Sequence, residues 1–368
     1  MWSIVHTEWS DGFGGQEHRI LLECGEMARR GHRVHIACRS EAALFSKAKE
    51  AGIPVTPVPI RSSADLNAIR ILFSLFRREK VQVVNTHSGK DSWVASIAAK
   101  AARVPLLVRT RHISVPIRRH AFNLVYRWPD GYITTGEMIR DHLIRKGISA
   151  DRVVSIPTGV DLDRFSAEVR GNRIREEFGI EPRTFLVSMI GVFRSWKRHD
   201  LFLEVIRLLK ERGLPVRALL AGEGQGREAI EAEIARKGLA GTVILAGYRE
   251  DIPEILAASD ALVLTSDRFE GVPQVILQGL AMARPVIASP IGGIPEVVKA
   301  EETGLLCETG DATAYARALA RLAGDPAIGE RMGKAGRELV LARYTVAAMC
   351  EKTEALYAVL ASGKEVGA

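Results

Sequence analysis

Two successive α/β units, each a parallel sheet covered by helices, are what this sequence of 368 residues predicts. Three observations carry that expectation. Short runs rich in β-branched residues alternate with amphipathic stretches, the pattern of βαβ units. The alternation runs to about "TGVDLDRFSAEVRGN", where strand-like sequence gives way to a polar stretch, and then begins again. A chain of this length is also too long for one comfortable core, yet each half can bury enough apolar surface to fold.

In the first half, strands are expected at "SIVHT", "RVHIAC", "PVTPVPI", "VQVVNTH", "LLVRT", "GYITT" and "VVSIP". Between the first two, "GQEHRILLECGEMARRGH" puts Ile20, Leu21, Cys24 and Met27 on one helical face, and Gly31 supplies a C-terminal stop. The second half repeats the scheme with "FLVSMIG", "VRALLAG", "TVILAG", "ALVLT", "PVIAS" and "TGLLC", and after Asp311 it is almost wholly helical. The expected domains are residues 1–165 and 166–345. A last helix in 346–368, within "TVAAMCEKTEALYAVLASG", is expected to reach back to the first of them.

Hydrophobic residues at 47% and charged residues at 26% are ordinary for a soluble globular protein. No apolar run approaches the ~20 residues of a membrane-spanning helix. The start "MWSIVHT" lacks the features of a signal peptide, so a cytoplasmic protein is expected. Cys24, Cys38, Cys307 and Cys350 are scattered without metal-ligand or disulfide spacing, and read as buried reduced thiols. Residues 1–170 hold 26 Lys and Arg against 17 Asp and Glu, whereas 171–368 hold 25 against 27. The basic excess therefore belongs to the first half and favours an acidic partner: a phosphorylated small molecule, an anionic membrane surface or nucleic acid. Nucleic acid is disfavoured, because no recognised binding module accompanies the charge.

Open parallel sheets bind ligands beyond the carboxyl ends of their strands, so the residues that follow strands matter most. In a two-domain chain the expected place is a cleft between two such edges. After the first strand, "EWSDGFGGQEH" sets Gly12, Gly14 and Gly15 before a helix, where backbone N–H groups can approach a phosphate. The dinucleotide fingerprint is incomplete here, and a plain tight turn remains open. After the first strand of the second half, "GVFRSWKRHDLFLEVI" brings Arg194, Lys197 and Arg198, cations suited to a diphosphate. After "ALVLT" comes "SDRFEGVPQVILQGLAMARPVIAS": an exit loop, then Pro273 in the first turn of a helix running to about Ala283. The N–H groups of Gly271 to Val275 can receive an anion there, with Glu270 beside them as an acceptor for sugar hydroxyls and Gln278 further along the helix.

These features together resemble the retaining glycosyltransferases of family 4, whose GT-B fold has two facing Rossmann-like domains. The resemblance covers nearly the whole chain, from "GGQEHRILLECGEMARRGHRV" through "IPTGVDLDRF" and "FRSWKRHDLF" to "FEGVPQVILQGLAMARPVIASPIGGIPEVV", "TGLLCETGD" and "ARYTVAAMCEKTEALYAVL". It implies transfer of a sugar from a nucleotide diphosphate-sugar to an acceptor with retention at the anomeric carbon and no obligatory metal or other cofactor. By the same resemblance, Gly14 and Gly15 approach the donor diphosphate, and Arg194 and Lys197 stabilise its developing charge. Glu270 holds donor-sugar hydroxyls, Gly271, Val272, Pro273, Gln274 and Val275 add backbone contacts, and His112 in "RTRHIS" lies near the transferred sugar.

Two departures stand out. The family pattern of Glu, seven residues, then Glu ends here in Gln278, which can accept ribose hydroxyls only without a formal charge. Val192 occupies a position often held by Arg, leaving Arg194 as the substitute. Gly222 borders the nucleotide in this comparison, and Tyr248 and Arg249 fall where the base is met. Asp161 and Asp163 look like a metal dyad but sit in the connection "GVDLDRF", where a linker turn is expected.

For the acceptor, His87 at a strand edge, Arg118 and Arg119 are the candidates, with a structural hydrogen bond as the other reading of His87. "RHISVPIRRHAFNLVYRW" suits an anionic sugar chain or an anionic membrane interface, though its apolar residues equally suit a crossover helix. The expected acceptor is a lipid-linked or cell-envelope glycan, with peripheral contact at the inner face of the plasma membrane. A nucleotide-sugar 2-epimerase of similar architecture would release an epimer without any acceptor. A non-catalytic nucleotide-sugar-binding protein, which Gln278 leaves open, would bind without turnover.

Overall fold

The computed structural model describes residues 1–114 and 124–365. It divides into one unit of residues 1–159 with 346–368 and a second of residues 160–345. The first unit runs β1 (Ser3–Thr7), α1 (Gly15–Arg29), β2 (Arg33–Cys38), α2 (Ala43–Glu50), β3 (Val55–Pro57), α3 (Leu66–Arg78), β4 (Val83–Thr86), α4 (Gly89–Ala102), β5 (Leu106–Arg111), β6 (Gly131–Thr134), α5 (Glu137–Arg145) and β7 (Val153–Ser155). Its seven strands are parallel in the order β3-β2-β1-β4-β5-β6-β7.

The near-continuous apolar strands are explained by burial on both faces. Ile4, Val83, Leu106 and Val108 pack into one core with Ile20, Cys24 and Met27 of α1, while Val5, Val84 and Leu107 point into another with Leu72, Val94 and Ala98. All four cysteines are free and buried.

The second unit runs α6 (Asn172–Glu177), β8 (Phe185–Ile190), α7 (His199–Glu211), β9 (Val216–Ala221), α8 (Arg227–Arg236), β10 (Val243–Gly247), α9 (Ile252–Ala258), β11 (Ala261–Leu264), α10 (Gln274–Ala281), β12 (Val286–Ala288), α11 (Ile294–Val297), β13 (Gly304–Leu306), α12 (Ala312–Gly324) and α13 (Pro326–Arg343). Its six parallel strands lie in the order β10-β9-β8-β11-β12-β13. The expected boundary at 165 moves to 159–160, because Val160 and Phe165 are buried in the second core. The Val160 N–H also donates to Tyr344 O. Asp161 is a turn residue, its Oδ1 accepting the N–H groups of Asp163 and Arg164.

The final helix, α14 (Val346–Glu365), belongs to the first unit. Met349, Cys350, Leu356 and Tyr357 join the core built on Ile4 and Ile20. Glu354 takes hydrogen bonds from Arg30 and His32, at 2.7 and 2.6 Å. No helix among the described residues is long and apolar enough to cross a membrane.

In both sheets the strand order reverses at one place, between β1 and β4 and between β8 and β11. At such a switch point the connections leave to opposite faces, and a crevice opens beyond the carboxyl ends of the two strands.

Candidate functional site

At the second unit's switch point, two loops are tied together. The loop after β8 contains a 3-10 turn at Ser195–Lys197 and a left-handed Arg198 that starts α7. From the end of β11, Thr265 Oγ1 lies 2.8 Å from Lys197 O and 2.9 Å from Arg198 O, and the Asp267 N–H donates to Trp196 O. These contacts fix the Lys197 side chain beside the loop after β11. Its Nζ donates to Glu270 Oε1 at 2.8 Å, and Ser266 Oγ donates to the same oxygen at 2.7 Å. Both charged side chains are mostly buried, 15% and 10% exposed, so solvent screens their attraction weakly.

The Glu270 loop rests on the turn after β12. A Cβ at Gly292 would stand 2.2 Å from Glu270 O, and one at Gly293 would stand 2.7 Å from the Gly271 carbonyl carbon. Glycine is required at both by close approach. Past the loop, Pro273 caps α10 instead of lying in its first turn, and the helix stops at Ala281, not Ala283, because Ala283 turns left-handed with φ 53°. Gln274 and Val275 open α10, where N–H groups lack an acceptor one turn earlier.

At the first unit's switch point, His6 near the end of β1, His87 just past β4 and His112 just past β5 form a row. His6 Nδ1 is 2.9 Å from His87 Nε2, and His87 Nδ1 is 2.9 Å from His112 Nε2. His6 and His87 are buried and His112 half-buried. Burial holds all three imidazoles below their ordinary pKa, with Arg19 acting in the same direction on each. They are neutral near pH 7.

Beside the row stands an acidic pair that sequence reasoning missed. Glu8, directly after β1, accepts the N–H groups of Trp9 and Ser10 at 2.8 Å and an amide N–H from Gln16. Ser88 Oγ sits 2.7 Å from Glu8 Oε1 and 2.8 Å from Asp91 Oδ1. One hydroxyl proton cannot serve two carboxylates, so a proton shared between the acids relieves the site. Burial and then Asp91 push Glu8 up to about 8, and burial pushes Asp91 up to about 6. The signal was available: Glu8 is an acidic residue directly after the strand "SIVHT".

Each half of the chain matches a family model: residues 13–164 that of Glycosyltransferase Family 4, and residues 171–339 that of Glycosyl transferases group 1. The chain belongs to glycosyltransferase family 4. It is 29% identical over 373 residues to the Escherichia coli UDP-Gal:alpha-D-GlcNAc-diphosphoundecaprenol alpha-1,3-galactosyltransferase, covering 96% of each chain. It is 27% identical over 304 residues to the alpha-D-kanosaminyltransferase of Streptomyces kanamyceticus, covering 76% of this chain and 78% of that protein. Among solved structures, Anabaena HepE in complex with UDP and glucose superposes with a TM-score of 0.86 at 20% identity, covering 96% and 98% of the two chains. That likeness shows the fold, and the fold of this glycosyltransferase is GT-B.

The remaining predicted residues of the glycosyltransferase fall in varied settings. Gly14 is the residue before α1, and its N–H already donates to Glu17 Oε2 at 2.8 Å; Gly15 begins the helix. Gly222, with φ 153°, donates its N–H to Gly247 O, and a Cβ there would stand 2.0 Å from Gly191 O. Arg194 is exposed, 5.0 Å over the Trp196 ring, with no ion pair among the described residues. Gln278 is half-buried on α10. Tyr248 is 53% exposed, whereas the Arg249 guanidinium is committed to Glu177 and Asp251. Both ring nitrogens of His87 are occupied by its neighbours. Arg118 and Arg119 lie outside the described residues.

Proposed function

We propose that the chain transfers a sugar from a UDP-sugar to a lipid-linked or cell-envelope glycan, with retention at the anomeric carbon. One observation carries the donor assignment: Lys197 Nζ and Glu270 Oε1 meet at 2.8 Å at the second unit's switch point, beside the start of α10. That arrangement offers the donor a cation for the diphosphate, N–H groups for its oxygens and a carboxylate for the sugar hydroxyls. When the bond from the anomeric carbon to the phosphate oxygen breaks, negative charge gathers on the diphosphate, and Lys197 with Arg194 stabilises it. The acceptor oxygen bonds to the face the diphosphate leaves, and the acceptor's proton passes to the departing diphosphate. With two cations in this role, the transfer calls on no metal ion. In this reading His112 lies near the transferred sugar, Gly15 and Gly222 border the diphosphate and nucleotide, and Gln278 accepts the ribose hydroxyls.

The activity for which the Escherichia coli relative is named supports UDP as the nucleotide and a diphosphate-linked lipid as the acceptor class. The basic excess of residues 1–170 accords with an acidic acceptor of that kind. A lipid-borne acceptor would draw the enzyme to a membrane surface, in our reading the inner face of the plasma membrane. The test is Glu270→Gln, assayed for transfer and for affinity toward UDP and the UDP-sugar. Transfer should fall strongly while UDP affinity changes little; equal loss of affinity for both ligands would remove Glu270 from the sugar.

A further inference from the structure

The row of three histidines is assembled from positions far apart in sequence. His87 follows His6 by 81 residues and His112 follows His87 by 25. Only the adjacency of β1, β4 and β5 brings them together. Their rings stack as well as bond, with centroids 5.2 Å apart in both pairs and interplanar angles of 21° and 29°. Neighbouring charge comes from the buried Arg19–Glu23 pair of α1: Arg19 opposes a positive charge on each ring, Glu23 favours one on His6, and burial outweighs both.

Three neutral imidazoles carry three ring protons. Each of the two N···N contacts needs one of them, so the third must sit at one end of the row. If His87 is protonated on Nε2, then His112 donates through its own Nε2, and the leftover proton lies on His6 Nε2. If His87 is protonated on Nδ1, then His6 donates through Nδ1, and the leftover proton lies on His112 Nδ1. The proton of the half-buried outer ring is thus decided at the buried inner one.

The inner end is unequal to the two choices. His6 Nε2 is fully buried and has no protein partner among the described residues, and the bare Glu23 Oε1 does not reach it. Leaving an N–H without an acceptor there is costlier than leaving a lone pair without a donor, as the rarity of orphaned buried N–H groups shows.

We propose that His6 and His87 are positioning residues that hold the ring proton of His112 on Nδ1, so that His112 meets its substrate as a hydrogen-bond donor. This rests on the assignment of His112 to the transferred sugar, and the ligand atom it fits is a sugar oxygen acting as acceptor. Isolated histidine side chains favour the opposite, Nε2–H tautomer, so the arrangement leaves a distinct signature.

The full chain, labelled with nitrogen-15 in its histidines, would be examined near pH 7 by long-range proton–nitrogen correlation, with the His112→Phe spectrum assigning the ring. His112 should show a protonated Nδ1 and a bare Nε2; a protonated Nε2 overturns the proposal. In His87→Phe, His112 should return toward the Nε2–H form, with kcat falling roughly tenfold while the Kd for UDP stays within about twofold. A His112 tautomer unmoved by His87→Phe also overturns it. A moved tautomer with unchanged turnover supports the proton assignment and instead removes His112 from the sugar. Should His87→Phe fail to fold, the spectrum of the unaltered chain still decides.

Discussion

Gly292→Ala perturbs the Glu270 loop from behind, pressing on the Glu270 backbone and Cβ while leaving the carboxylate proposed to meet the donor chemically unchanged. Two costs add. The residue has φ 57°, a conformation that charges a side chain roughly 1 to 2 kcal/mol. The new Cβ would also stand 2.2 Å from Glu270 O and 3.1 Å from Glu270 Cβ, so the loop must retreat by about 1 Å, and such overpacking costs about 1 to 3 kcal/mol. Gly310→Ala separates the two, because Gly310 has φ 87° and nothing within 4 Å of its Cβ. The clash alone should lower the melting temperature of Gly292→Ala below that of Gly310→Ala by roughly 2 to 12 °C for a unit of this size. Retreat of the loop also pulls the Glu270 carboxylate from Lys197 Nζ, now 2.8 Å away. Misplacement on that scale costs on the order of 100-fold in turnover. Thermal melts and initial transfer rates of both variants provide the measurement. Equal melting temperatures, or a normal rate in Gly292→Ala, would refute the reasoning.

The two cations are tested by Arg194→Ala and Lys197→Ala. Each should lower turnover strongly, and together they should be non-additive because both act on one anion; near-normal turnover of the folded double variant at saturating substrates rejects their role. Gln278→Ala should weaken donor binding by about 1 to 3 kcal/mol, measured by titration, and Gln278→Glu should be tolerated; unchanged affinity in the alanine variant makes Gln278 a helix residue only. For Glu8, burial raises the folded carboxyl from 4.5 to about 8, so its stability contribution is fully present below pH 4.5 and is lost as pH rises through about 8. Glu8→Gln should therefore raise the melting temperature at pH 8 and leave it nearly unchanged at pH 4.5. An equal offset at both pH values would show that charge is not the cause.

The strands were legible because a parallel strand buried on both faces must be an apolar run wherever it lies, and runs such as "ALVLT" and "VRALLAG" are short and bounded by turn residues, which favours strand over buried helix. The end of α10 was not, because Met282, Ala283 and Arg284 are good helix formers stopped by a left-handed turn at Ala283. At the edges of the sheets, sequence marked single residues after strands but not their mutual contacts. Nothing in "SIVHT" tells that His6 bonds to His87, since that pairing depends on β1 lying next to β4. Lys197 and Glu270 are 73 residues apart, and their ion pair depends on the two loops tied by Thr265, a contact that no local pattern displays. The setting of Glu8 is not visible in "HTEWS", because its pairing with Asp91 through Ser88 depends on β4 lying next to β1.

The return of α14 to the first core sets an order of events during synthesis. Residues 1–159 emerge from the ribosome with one flank of their core, around Ile4, Ile20 and Cys24, still lacking Met349, Cys350 and Tyr357. All of residues 160–345 must be made before those side chains exist, a wait of roughly 10 to 40 s at ordinary translation rates. For that time the nascent first unit presents an uncovered apolar flank, a natural foothold for a chaperone, while the second unit has its whole sequence in one stretch and can close first.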